Sequence, residues 1–186
     1  IIDYCVKSDK QYVGLFGEIY KDTQYVVKGK QITNVVLTVS DENKGKTGNY
    51  LTADEANQNN AGLIISEYQA ESSSSNRAGV GSLVGSDFTV GSGFASDDTN
   101  WKQKVNDQIY TVYNCASEGY QVQYHVSTPK SGYKQPLGIA MGGLIGYSRG
   151  NIAHSSADND IKLVLGATLN AKTSGVSIGG FAGSTF

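Results

Sequence analysis

Positive charge is too sparse in this chain to mark a nucleic-acid surface. Its 186 residues hold 15 Lys and Arg against 17 Asp and Glu, and charged residues make up only 17% of the total. A phosphate backbone calls for a basic face or stripe. The nearest approach, Lys28, Lys30, Lys44 and Lys46, reads as a solvated edge or turn. Histidine is equally scarce: His125 and His154 are the only two. With no Cys-x-x-Cys and no His-Glu-x-x-His, they make no metal-ligand pattern, and no cofactor is expected. Apolar runs stay short of the roughly 18 residues that cross a bilayer as a helix, so no transmembrane segment is expected. Helical stripes are missing too; only Ala53–Ala56 behind Thr52 suggests a short capped turn. No signal peptide is visible, and a chain opening on Ile1 reads as a processed or truncated product.

Glycine is what the chain has in abundance: 23 residues, against two prolines, without a collagen period. Many sit in one repeated phrase, an apolar pair bracketed by small residues. It recurs as Gly14-Leu15-Phe16-Gly17, Ser82-Leu83-Val84-Gly85, Gly143-Leu144-Ile145-Gly146 and Gly180-Phe181-Ala182-Gly183. The last three copies are preceded by Val80-Gly81, Met141-Gly142 and Ile178-Gly179, and Gly62-Leu63-Ile64-Ile65 is a weaker echo. A second phrase alternates with the first: Ile2-Asp3-Tyr4-Cys5, Ile32-Thr33-Asn34-Val35, Val112-Tyr113-Asn114-Cys115 and Ile152-Ala153-His154-Ser155. Self-similarity of this kind marks a repeat architecture.

Between the phrases, strand signals dominate. Tyr25–Val27, Ile32–Val39, Ile109–Tyr113, Tyr120–Val126 and Ile161–Leu165 are rich in β-branched and aromatic residues. Val122, Tyr124 and Val126 alternate with Gln121, Gln123 and His125, as a two-faced strand requires. The expected fold is all-β: a single right-handed parallel β-helix, or β-solenoid, over residues 1–186. Glycines would occupy the bends, where φ > 0 or close backbone approach is needed, and apolar residues would feed a shared core. Residues 41–60, 67–78, 91–107 and 127–137 read as surface insertions. An antiparallel β-sandwich is the competing architecture, favoured by the tyrosines and the alternating strands.

The two cysteines occupy matching phrase positions, separated by at least the rung of Val35. Rungs lie about 4.8 Å apart, and a disulfide needs Cα atoms within about 7 Å. Cys5 and Cys115 are therefore expected as free, buried thiols.

The glycine phrases resemble the GLUG-motif repeats of bacterial surface and secreted proteins. Gly142-Gly143-Leu144-Ile145-Gly146-Tyr147, followed by Arg149-Gly150-Asn151-Ile152, fits that motif best. Val80–Gly85 follows it with serine at one glycine position, and Val13–Gly17 and Ile178–Gly183 are looser copies. Residues 40–60 and 92–108 lie outside the resemblance. It implies a non-catalytic repeat segment, part of a longer protein with flanking domains, outside the cell or on its surface. Such a segment serves as a stalk, spacer or adhesin module, with a host glycan or protein as partner. Some relatives carry the repeats beside an immunoglobulin A peptidase, but no such catalytic domain is present here.

Catalytic patterns are weak. Gly175-Val176-Ser177-Ile178-Gly179 matches the nucleophile elbow, which needs a strand-to-helix turn and a later histidine, and none follows. Asp158 and Asp160 would share one face of an extended segment, a spacing that suits calcium or polysaccharide chemistry but reads first as a solvated strand. Asp97-Asp98 reads as a loop tip, and Lys44–Gly48 lacks the upstream glycine of a phosphate loop. The alternatives are a polysaccharide-active enzyme, since right-handed β-helices also host lyases and hydrolases, and an accessory region of a secreted peptidase. The binding candidates are aromatics in the insertions, Tyr50, Tyr68, Trp101 and Tyr133, which can stack on sugars or anchor a protein. The glycines assigned to the scaffold are Gly14, Gly17, Gly81, Gly85, Gly142, Gly143, Gly146, Gly179, Gly180 and Gly183.

Overall fold

Extended, β-branched segments bounded by glycine and asparagine become strands, and the strands stack on their own equivalents. A computed structural model describes residues 1–19, 32–45, 60–73, 76–87, 110–148, 150–169 and 175–185. Among these residues the structure is all-β, without a helix. The strands fall into four successive tiers. The first holds β1 (Val6–Ser8), β2 (Tyr12–Val13), β3 (Phe16–Ile19) and β4 (Ile32–Thr33). The second holds β5 (Val36–Thr38), β6 (Leu63–Ser66), β7 (Ala70–Glu71), β8 (Arg77–Gly81), β9 (Val84–Asp87) and β10 (Tyr110–Tyr113). The third holds β11 (Ala116–Val126), β12 (Tyr133–Lys134), β13 (Gly138–Gly142), β14 (Ile145–Ser148) and β15 (Asn151–Ala153). The fourth holds β16 (Ser156–Leu165), β17 (Gly175–Gly179) and β18 (Ala182–Thr185).

Each tier pairs with the next through parallel ladders. The sheets run β1-β6-β11-β16 with β5 also on β11, β2-β8-β13-β17, β3-β9-β14-β18 and β4-β10-β15. One of them curls into a half-barrel. The antiparallel sandwich is thereby overturned, because the long ladders are parallel and hold equivalent residues in register. Among the described residues only β7 and β12 pair antiparallel, Tyr133 opposite Glu71 and Lys134 opposite Ala70. Two of the expected insertions thus clasp each other. The segments Tyr25–Val27 and Ala53–Ala56 lie outside the described residues.

The four glycine phrases stack as one column. Phe16 pairs with Val84, Val84 with Ile145 and Ile145 with Ala182, while Val13, Val80, Met141 and Ile178 align in the preceding strand. The echo at Gly62 belongs to a different sheet, in line with Val122, so it is no fifth copy. The bend glycines differ from expectation in one respect: none has a positive φ. Their role is close approach. A Cβ on Gly146 would lie 2.4 Å from the Val80 nitrogen, and one on Gly142 would lie 2.0 Å from the Ile145 oxygen. The sheets before and after the bend therefore meet backbone to backbone, and any side chain would wedge them apart. Leu83 and Leu144 sit at the bend itself, fully buried.

The second phrase turns the other corner. Asn34, Asn114 and His154 adopt φ of 58°, 52° and 50°, the left-handed region that asparagine and histidine enter more readily than most residues. The run expected over Ile32–Val39 breaks there into β4 and β5. Asn34 and Asn114 donate backbone N–H groups to Tyr113 and Ala153 at 3.1 Å, and Asn114 Nδ2 donates to Asn34 Oδ1 at 2.6 Å. In the first copy the left-handed residue is Asp3, φ 57°, rather than Tyr4, so that phrase slips by one. It also leaves the column: Ile2 bridges to Thr38, and the Asp3 carboxylate accepts from the Ser40 N–H at 2.8 Å and from Asn43 Nδ2 at 3.0 Å.

Both cysteines are free, but only Cys115 is buried. Val6 packs on the core cluster. Cys5, one residue earlier on the edge of the first tier, faces the opposite way, into solvent.

Candidate functional site

Alternation in β11 sends Val122, Tyr124 and Val126 into the core, each 2% exposed or less. The opposite face carries Gln121, Gln123 and His125, and there the tiers bring charged side chains together. Lys7 of β1 stands in the same row as Ile65, Gln123 and Lys162, and Glu67 follows β6 directly. Glu67 Oε1 lies 3.0 Å from Lys7 Nζ and 3.7 Å from His125 Nδ1. His125 Nε2 meets Gln123 Oε1 at 2.8 Å, and Gln123 Nε2 donates to Gln121 Oε1 at 3.0 Å. That chain of donors assigns the Nε2–H tautomer to neutral His125 and turns the Nδ1 lone pair toward Glu67. Burial holds the His125 pKa below its usual value; Glu67 opposes this, while Lys7 and Lys162 reinforce it. The cluster can take up a proton on Nδ1 and convert a neutral contact into an ion pair.

Farther along the same face, Asp158 and Asp160 are both exposed on β16, as alternation predicts. Asp158 stands beside Glu118 in the ladder, and Lys44 Nζ lies 2.7 Å from Glu118 Oε1 and 3.8 Å from Asp41 Oδ1. Among the described residues no group of three or more His, Cys, Asp or Glu side chains is placed to hold a metal ion. The Gly-x-Ser-x-Gly match forms β17 and runs through a bend into β18, so Ser177 stands on a strand rather than at a strand-to-helix turn.

Of the aromatic candidates, Tyr50 and Trp101 lie outside the described residues. Tyr68 is partly buried against the core, its carbonyl accepts from the Tyr124 hydroxyl, and its own hydroxyl accepts from Asn76 Nδ2 at 3.1 Å. It covers the flank of the stack. Tyr133 on β12 is 44% exposed. The structure does not bring these two into one array. A shallow crevice with room for about one water molecule runs beside Tyr68, with His125, Gln135, Pro136 and Leu169 in its walls.

One polar residue escaped the sequence reading because its neighbours drew attention. Asn159, between Asp158 and Asp160, points inward. β11 carries one extra residue between Glu118 and Gln121, with Gly119 at φ 82°, and Asn159 Oδ1 accepts the displaced Tyr120 N–H at 2.9 Å. Its Nδ2 donates to Ser117 Oγ at 2.8 Å and to the Gly143 carbonyl at 2.7 Å. The Tyr4 hydroxyl bonds the Ser82 carbonyl in the adjacent bend, and the Tyr4 and Tyr120 rings lie 5.0 Å apart. Asp87 is likewise buried, accepting from Thr111 Oγ1 at 2.6 Å. A polar residue in the inward phase of an alternating strand was the available signal. Both groups tie sheets together within the stack.

Compared with known families, curated proteins and solved structures, the chain matches none.

Proposed function

We propose that this chain is a non-catalytic β-solenoid segment of a bacterial surface or secreted protein, working as a spacer that can present adhesive loops. The observation that carries the reading is the register of the four glycine phrases, which repeat one bend through four parallel tiers. Such a design is extended by adding tiers and decorated through insertions, without a pocket at its centre. The exposed polar groups support the same reading: Lys7–Glu67 and Lys44–Glu118 are satisfied as pairs rather than converging on a cleft. Resemblance to GLUG-motif repeats supplies the cellular setting.

The test combines a glycan array with a turnover screen against soluble polysaccharides. A spacer without ligand gives neither binding nor product. Binding that disappears in Trp101→Ala or Tyr133→Ala assigns an adhesive role to the insertions. Release of reducing ends from any polysaccharide, abolished by Asp158→Asn or Asp160→Asn, would overturn the non-catalytic reading in favour of a β-helix enzyme.

A further inference from the structure

The His125 cluster stands at the root of the two insertions that clasp each other. Glu67 follows β6 and opens the first insertion, and His125 lies two residues before the second. Just beyond these two residues the insertions are fastened together. Gln69 Nε2 donates to Ser127 Oγ at 2.8 Å and to the Thr128 carbonyl at 3.2 Å, and Gln69 Oε1 accepts from the Lys130 N–H at 2.9 Å. The Tyr124 hydroxyl bonds the Tyr68 carbonyl, and the β7–β12 ladder completes the clasp. The Glu67 main chain is fixed, its N–H donating to the Ser8 carbonyl at 2.9 Å. Its carboxylate is the part left to turn.

Among the described residues three charged side chains bear on the His125 ring, each from a different element: Glu67 after β6, Lys7 on β1 and Lys162 on β16. Its own-strand neighbours on that face, Gln121 and Gln123, are neutral. One carboxylate oxygen of Glu67 lies within hydrogen-bond reach of Lys7, at 3.0 Å, and just outside that of His125 Nδ1, at 3.7 Å. The ring cannot close that gap, because Nε2 is held at 2.8 Å by Gln123, itself 1% exposed. Glu67 and Lys7 are far less confined, with side chains 38% and 48% exposed against 13% for His125. Any rearrangement therefore moves the carboxylate and the ammonium rather than the imidazole.

We propose that this cluster is a proton-operated latch: protonation of His125 draws the Glu67 carboxylate from Lys7 onto the imidazolium and ties the root of one insertion to the strand that feeds the other. While the ring is neutral, Nδ1 and the carboxylate face each other as two acceptors, and Lys7 takes the carboxylate. A proton on Nδ1 replaces that opposition with a charge-assisted hydrogen bond in the less exposed of the two places. Loss of the Lys7 contact opposes this only weakly, since ion pairs this exposed contribute little. Burial, then Lys7 and Lys162, make the imidazolium costly, so the exchange occurs on the acid side of the ordinary histidine value. The latch acts within the folded chain and holds whether that chain serves as spacer or enzyme.

The experiment is a pH titration of the full chain by NMR, following the His125 ring nitrogens, Glu67 Cδ and Lys7 Nζ, with exposed His154 as reference. Glu67 Cδ and Lys7 Nζ should shift with the midpoint of His125, well above the carboxylate's own titration, and both responses should vanish in His125→Gln. The His125 midpoint should rise in Lys7→Met and fall in Glu67→Gln, each by about 0.3 pH units or more, the scale of one exposed charge pair. Amide exchange across the β7–β12 ladder, corrected for the intrinsic pH dependence, should slow several-fold as His125 becomes protonated in the parent and not in Glu67→Gln. Protonation of His125 with Lys7 Nζ and Glu67 Cδ unmoved overturns the exchange. A midpoint that ignores Lys7→Met overturns the competition between the two cations, and faster exchange in the clasp overturns the tie between the insertions.

Discussion

Asn159 holds the Gly143 carbonyl at 2.7 Å across the interior, joining the last long strand to the best copy of the glycine bend. The same side chain caps the Tyr120 N–H left unpaired by the bulge. Truncation in Asn159→Ala strands a buried backbone donor, a backbone acceptor and the Ser117 hydroxyl. An unsatisfied buried group costs about 1–3 kcal/mol, so a loss of roughly 3 kcal/mol is expected in urea unfolding. Asn159→Asp keeps the acceptor for Tyr120 but loses both donated bonds and introduces a charge. It should be no more stable than the alanine variant at neutral pH.

Two glycines at the same place in the phrase should respond oppositely to alanine. Gly143 is pressed against the Gly180 carbonyl, while Gly180 faces open space, and neither needs a positive φ. Gly143→Ala forces the third and fourth tiers apart and should cost about 2–3 kcal/mol, in the range of overpacked cores. In a chain of this size that lowers Tm by roughly 5–10 °C. Gly180→Ala should leave Tm within about 2 °C of the parent. Equal effects would show that phrase position, rather than the neighbouring tier, sets the requirement.

That contrast also marks how far the sequence is legible. The phrases announced the stacking, and Phe16, Val84, Ile145 and Ala182 lie in line as their alignment implies. Asn34, Asn114 and His154 were readable as equivalent because one backbone conformation favours similar residue types. Asp3 was misaligned by one because the first copy offers two candidates, and the Ser40–Asn43 contacts that decide between them are remote in sequence. Gly62 misled because an apolar pair after glycine fits either a bend or a plain strand, and only pairing with β11 tells them apart. The Glu67–His125–Lys7 cluster was illegible, since its members come from three tiers. Local pattern carries the corner; register carries the site.

His125 should make stability fall on the acid side of neutrality. Its folded pKa is depressed, first by burial, so the unfolded chain takes up a proton more readily than the folded one. Its contribution is complete above the ordinary histidine value of about 6.5 and is lost progressively as pH drops through and below it. Urea midpoints measured between about pH 7.5 and pH 5.5 should decline, and the decline should shrink in His125→Gln. Glu67→Gln should steepen it, because that carboxylate is what favours the protonated ring. An unchanged slope in both variants would assign the acid sensitivity elsewhere.

Tyrosine ionisation should report the core from the alkaline side. Burial pushes the Tyr120 hydroxyl up to about 12, and raises Tyr4 and Tyr124 as well. Tyr4 and Tyr120 donate to the Ser82 and Thr38 carbonyls, and Tyr124 to that of Tyr68. In the unfolded chain these groups ionise near pH 10, so folding stability is intact below that value and falls as pH rises above it. A spectrophotometric titration should show the solvent-exposed tyrosines ionising first and reversibly. The buried three should follow in one cooperative step coincident with loss of the β-sheet circular dichroism signal. Tyr120→Phe should remove one phenolate from that step and, because the Thr38 carbonyl loses its donor, move the step to lower pH. Smooth ionisation of all tyrosines near pH 10 with the fold intact would mean that the interior is open to water.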